Sequence, residues 1–228
     1  MNKIASFHLI SWPHALGALL RLGTDRLRLR RVEGLVFWRL LGTGAGSDTS
    51  QGANLRRTAL FAVWQDEQAC ERFMNSHTLA KRWQGANESW HVKLRSVGGH
   101  GSWRGFAVAD ELERGSGDGV VAMITRADVR RHSWKVFRRA GVSVNTELHQ
   151  AEGLITVVGI GEAPVGRLGT FSLWRSLDSM RRFATEGPHH QEVVQRTRTE
   201  EWYGEELFAR FEPYDSTGTW DGVDPLAR

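Results

Sequence analysis

Two segments of this chain read as copies of one another, and this self-similarity limits the possible folds more than any local motif does. FAVWQDEQACERF at Phe61–Phe73 matches FSLWRSLDSMRRF at Phe171–Phe183, with Phe, Trp and Phe in register at a spacing of 110. Upstream, Glu33-Gly34-Leu35 matches Glu152-Gly153-Leu154. Downstream, Glu88-Ser89-Trp90 aligns with Glu201-Trp202, and Ser102-Trp103-Arg104-Gly105 with Thr219-Trp220-Asp221-Gly222. A chain of 228 residues written this way is two like units, each too small to bury both faces of a sheet alone.

Hydrophobic periodicity gives each unit the same order. In the first, Ile4–Ile10 reads as a strand, Trp12–Leu22 as a helix and Leu35–Leu41 as a strand. A Gly/Ser/Asn loop leads to a strand at Thr58–Trp64, a helix from Asp66 to Trp83 interrupted near Asn75-Ser76, and a strand at Ser89–Leu94. In the second, strands fall at Val120–Arg126, Leu154–Ile160, Leu168–Trp174 and Glu206–Phe211. A helix covers Ser133–Ala140, and another begins at Leu177 and restarts after Gly187-Pro188. This βαββαβ order is the ferredoxin-like unit. The fold class expected is α+β: two tandem ferredoxin-like units, residues 1–97 and 120–228, joined by a glycine-rich linker at 98–119. Pairing sheet to sheet closes their edges as a dimeric α/β-barrel-type fold within one chain.

Charge and motif content narrow the function. The net charge is +4, but the basic residues are scattered among acids, so no nucleic-acid partner is expected. The single cysteine, Cys70, excludes an internal disulfide and fits a reducing, cytoplasmic setting. MNKIASFHLISWPHALGALL falls short of the roughly 20 apolar residues that span a bilayer and reads as a strand and a helix of the fold, not as a signal peptide. GTGAGS lacks the lysine and the following helix of a phosphate loop.

The stretch Gly187-Pro188-His189-His190-Gln191-Glu192-Val193-Val194 carries the candidate chemistry. Proline suits the first helical position, so two adjacent histidines start a helix. The positive dipole end favours neutral imidazole, the form that ligates a metal. A plainer reading makes them helix-start residues that hydrogen-bond backbone. No His-x-His or His-Glu-x-x-His spacing supports a site of several histidines.

The run GLITVVGIGEAPVGRLGTFSLWRSLDSMRRFATEGPHHQEVVQRTRTEEWYGEELFARFE, followed by GTWDG, resembles the spheroidene monooxygenase family of carotenoid-oxidising enzymes. GLVFWRLLGTGAG, ESWHVKL and SWRG extend the resemblance over nearly the whole chain; GIGE, FSLW, GPH and EELFARFE are its most specific pieces. The resemblance implies a dimeric α/β barrel, a superfamily that includes haem enzymes such as aldoxime dehydratases as well as cofactor-free monooxygenases. It implies haem b, with its iron held by His189, where the family pattern places its histidine, and dioxygen activated with electrons from a separate donor such as a ferredoxin. The implied substrate is a carotenoid or related apolar isoprenoid, hydroxylated towards a keto group. Such a substrate leaves room for peripheral contact with the inner face of the membrane, and the family for a homo-oligomer.

His190 is the explicit rival of His189, because Val193, Val194 and Thr197 share its face. Arg126, Arg182 and Arg196 are candidate partners for haem propionates. Trp38, without an aromatic counterpart in the second unit, is a candidate pocket residue. No acid–base residue is singled out. Alternatives are a cofactor-free barrel monooxygenase, a haem-barrel enzyme of dehydratase type, and a non-catalytic haem- or lipid-binding barrel, since fold does not decide chemistry.

Overall fold

The computed structural model describes residues 2–46, 52–162 and 166–227, and the side chains of all of these except 188–190. The first unit runs β1 (Ile4–Ser11), α1 (Ala15–Leu29), β2 (Leu35–Gly44), β3 (Ala53–Trp64), α2 (Glu67–Ser76), α3 (Thr78–Trp83) and β4 (Glu88–Gly101), and is followed by the short α4 (Val108–Glu111). The second runs β5 (Val121–Val129), α5 (Trp134–Gln150), β6 (Leu154–Gly161), β7 (Arg167–Trp174), α6 (Leu177–Glu186), α7 (Pro188–Thr199) and β8 (Tyr203–Gly218). Both are βαββαβ units. Parts of the loops GTGAGSDTSQGAN and GEAPVGR, at 47–51 and 163–165, lie outside the described residues.

The eight strands close into one antiparallel barrel in the order β1-β3-β2-β6-β7-β5-β8-β4. Each unit contributes four neighbouring strands, and two seams join them. At one seam β4 and β8 pair from Trp90↔Gly218 to Gly101↔Leu207; at the other, among the described residues, β2 meets β6 at Gly42↔Gly161 and Thr43↔Ile160, and Gly159 N donates to Gly46 O at 3.4 Å just beyond. The long seam explains why β4 and β8 outrun their apolar alternation. Their last residues are held by a strand from the other half of the chain, which local periodicity does not report. Residues 98–119, expected as a connection, hold the end of β4, a tight turn at Trp103–Phe106 and α4.

Alternate residues of each strand fill the lumen. Phe7 of the first unit stacks on Phe171 of the second, ring centroids 3.9 Å apart. Trp103 stacks on Phe61, and Trp220 lies 5.5 Å from Trp90. The lumen is a solid aromatic and aliphatic core. The opposite face of each sheet carries the helices.

Matched glycines set where each helix pair docks. Gly34 and Gly153 adopt φ of 76° and 87°, and a Cβ there would lie 2.6 Å from Ala69 Cβ and 2.5 Å from Ser179 Cβ. The first turns of α2 and α6 rest on these glycines, which explains the repeated Glu-Gly-Leu. Asp66 caps α2, and Ser176 with Ser179 forms a capping box on α6. Among the described residues no helix is long and apolar enough to cross a membrane.

Candidate functional site

Strand register allows the two sheets to be compared position by position. Phe61 pairs with Phe7 and Arg39, and Phe171 with Ile124 and Val158, so these sets correspond. On the helix-facing side of the first sheet, Leu40, Leu60 and His8 lie side by side, with Trp38 next along β2. The matching positions of the second sheet are Gly159, Thr170 and Thr125, with Val157 in place of Trp38. Every one of these exchanges removes side-chain volume.

Among the described side chains, those of the helices above do not make up the difference. In the first unit Ala69, Cys70, Phe73, Leu79, Ala80 and Trp83 are all buried against the sheet. Among the described residues of the second, the buried cluster on this side is Leu148, Trp174 and Met180, with Met123, Val157 and Phe183 only partly buried around it, while Val121 and Trp202 are buried outside that cluster. Helix α5, at 17 residues, buries Leu148 alone, and no described side chain of α7 is buried. Protein interiors are packed like organic crystals, and among the described residues this layer has fewer and smaller buried side chains than its counterpart in the first unit.

Helix boundaries place the histidine pair. α2 and α6 begin and end 110 residues apart, so His77, the N-cap of α3, corresponds to Gly187, the N-cap of α7. His189 then stands at the position of Leu79, and His190 at that of Ala80, both of which are buried in the first unit. The side chains of His189 and His190 are outside the described residues. This register corrects the match of Trp90 to Trp202. Trp90 lies inside the barrel, whereas Trp202 precedes β8 on the helix side, its ring 5.1 Å from the Arg196 guanidinium. The cause is α7, at 12 residues twice the length of α3, which shifts the last strand so that Glu205 answers to Glu88. His77 therefore matches Gly187 and not His189, although each of these histidines lies 13 residues before a tryptophan, Trp90 and Trp202. His77 Nδ1 accepts from Leu79 N at 3.2 Å, and its ring lies against Phe73.

The other sequence candidates do not converge on α7. Arg126 points into the barrel end, is 2% exposed, and donates to Glu205 at 2.5 Å and to Asp128. Arg182 lies on α6 at the rim of a cleft of about 250 Å³ bounded by Glu147, Phe183 and Gly187, and pairs with Glu152 at 3.7 Å. Arg196 is on α7, held by Glu200 at 2.8 Å. Trp38 packs into the helix-side core of the first unit.

Sequence reasoning missed two matched carboxylates that close the barrel. Glu205 accepts from Ser102 Oγ at 2.7 Å, Gly105 N at 2.8 Å and Arg104 N at 3.0 Å, so it holds the turn carrying Trp103. Glu88 accepts from Gly222 N at 2.7 Å and Thr219 Oγ1 at 3.0 Å, holding the turn of Trp220. Each unit thus fastens the tryptophan plug of the other. Burial opposes the charge on Glu205, but the donors from Gly105, Ser102, Arg104 and Arg126 outweigh it and hold the carboxyl down at about 2. The signal was present in the repeat, in SWRG and TWDG; what hid it was the slipped alignment of Glu88.

Two ferredoxin-like units closed through a shared eight-stranded barrel define the class, a dimeric α/β barrel carried in one chain. Solved aldoxime dehydratases share it: one, in complex with butyraldoxime, matches with a TM-score of 0.61 at 12% identity over 94% of this chain and 80% of its own, and another with a TM-score of 0.60 at 13% identity. No family model matches the chain. It is 34% identical over 194 residues to the spheroidene monooxygenase of Rubrivivax gelatinosus, covering 83% of this chain and 73% of that one. It is 30% identical to the enzyme of that name from Rhodobacter capsulatus over 84% of this chain and 80% of that one, and 28% identical to that of Cereibacter sphaeroides over 98% and 69%. The chain belongs to the spheroidene monooxygenase family and is an oxygenase.

Proposed function

We propose that this oxygenase is a haem-dependent monooxygenase that introduces oxygen into a carotenoid or a related apolar isoprenoid, through hydroxylation towards a keto group. The observation that carries the reading is the smaller side-chain volume on the helix side of the second sheet. A planar macrocycle needs a broad slot beside a ligating helix, and Gly159, Thr170, Thr125 and Val157, standing where the first unit has Leu40, Leu60, His8 and Trp38, support one there. The relatives named for spheroidene support a substrate of that class.

In this reading His189 would hold haem b against the second unit, with His190 as the competing donor. When bound, haem supplies the activation of dioxygen, with electrons from a separate donor such as a ferredoxin. The chain's own residues shape the slot. Met123, Val157 and Phe183 exclude water, and the glycine and threonines keep the sheet face flat. Arg182 and Arg196, the two candidate cations on the helix side, pair with Glu152 and Glu200 and would exchange those partners to meet haem carboxylates. The filled lumen removes the barrel interior as a substrate chamber.

The test is an absorption spectrum of protein purified with haem supplied. A stoichiometric Soret band is expected in the wild type, with at least a tenfold loss of bound haem in His189→Ala and a smaller loss in His190→Ala. An unchanged band in His189→Ala removes that residue as ligand, and active wild type without haem overturns the haem assignment.

A further inference from the structure

Helix α1 presents its apolar face outward. Ala18, Leu29 and Asp25 are buried against the sheet, with Asp25 held by Arg82 at 2.6 Å and Arg28 at 3.1 Å. On the opposite side Leu16, Leu20 and Leu27 are 71%, 62% and 64% exposed, with Leu19 at 46%. Positions 16, 20, 23 and 27 form one straight stripe at helical spacing, and Gly23 leaves its middle low. A water-facing surface would place polar residues there. Towards its C-terminal end the stripe is flanked by the exposed Arg26, Arg28, Arg30 and Arg31, and the one acid of the helix, Asp25, is buried.

We infer that α1 is an interfacial helix that seats this protein on an anionic lipid surface. Leucines enter the boundary between headgroups and acyl chains while the arginines meet lipid phosphates. Charge complementarity favours this occupant, because the exposed charges from residue 26 to residue 31 are all arginines, and the next exposed acid, Glu33, lies beyond the helix. A second copy fits less well. Helix α1 has 15 residues and is about 22 Å long at 1.5 Å per residue, too little to bury the roughly 1,200 Å² of a stable interface through this stripe, and it offers the arginines no exposed acid. The inference stands on α1 alone and does not depend on haem or substrate.

Flotation with vesicles tests it. The full chain is expected to float with phosphatidylcholine–phosphatidylglycerol vesicles and to stay down with phosphatidylcholine alone. Combined Leu16→Ser, Leu20→Ser and Leu27→Ser should lower the floated fraction at least tenfold. Arg26→Glu with Arg30→Glu, which leaves the stripe and its packing intact, should remove the preference for the anionic lipid. Thermal melts confirm that both variants remain folded, and the charge variant decides the matter if the leucine variant does not. Absence of flotation by the wild type, or equal flotation by the charge variant, overturns the inference. So does a wild-type dimer in light scattering that the leucine substitutions convert to monomer, an outcome that assigns the stripe to a second copy.

Discussion

His8 and His91 meet across β1 and β4 with their Nδ1 atoms 3.0 Å apart, under the ring of Trp83. Two such nitrogens share a proton only if one accepts, so at least one ring is neutral. Burial pushes His8 well below the usual histidine range, helped by its neighbour, and burial pushes His91 from 6.5 down to about 4. In the unfolded chain both titrate near 6.5. As pH falls from 6.5 towards 4 the unfolded chain takes up protons that the folded one refuses, so stability falls with pH in that window. His91 alone accounts for about 3 kcal/mol across it. Denaturant unfolding across this range should show His91→Gln losing stability less steeply than the wild type, by up to one proton; an unchanged slope refutes the assignment. No local sequence signal pairs these histidines, because 83 residues separate them.

At the level of elements, the turns after β4 and β8 are where the two units exchange support. Glu205 and Glu88 occupy matched positions, but their neighbours differ. Glu205 shares with Asp128 the guanidinium of Arg126, which is 2% exposed, and Glu88 faces Arg57, which is 18% exposed on its side chain. Removing one partner of a buried pair costs more than removing a partner that water can replace. Glu205→Ala should therefore destabilise by about 3 kcal/mol and Glu88→Ala by about 1–2 kcal/mol, an order that thermal denaturation reads directly. Equal losses would mean that the turns, not Arg126, carry the energy. Element identity and order were legible from periodicity and from the repeat. The ends of β4 and β8 were not, since their pairing is between halves of the chain.

The molecule as a whole is a duplicated scaffold used unequally. One sheet and helix pair buries a large apolar layer, and among the described residues the other carries a smaller one, with small side chains at Val157, Gly159, Thr170 and Thr125. On the proposed haem assignment, restoring the first unit's residue competes with the cofactor. Val157→Trp is then expected to keep the thermal midpoint at or above that of the wild type while lowering haem binding at least tenfold, read from the Soret band. A folded Val157→Trp variant with full haem content would place the ligand elsewhere.

The residues alone determined the duplication, the βαββαβ units, the barrel class and the family, because strand and helix periods, turn glycines and long family motifs are written along the chain. They also marked Gly187-Pro188 as a helix start and His189 as the residue to watch. Only the tertiary structure decided which positions of the two units correspond once α7 had lengthened, and so that His189 stands where Leu79 is buried and His77 does not match it. It also separated Arg126, inside the barrel, from the arginines of the helix side. The physical reason is the same in each case: a side chain's face and its partners are set by strand register across a closed sheet, and register between distant strands is a property of the closed barrel.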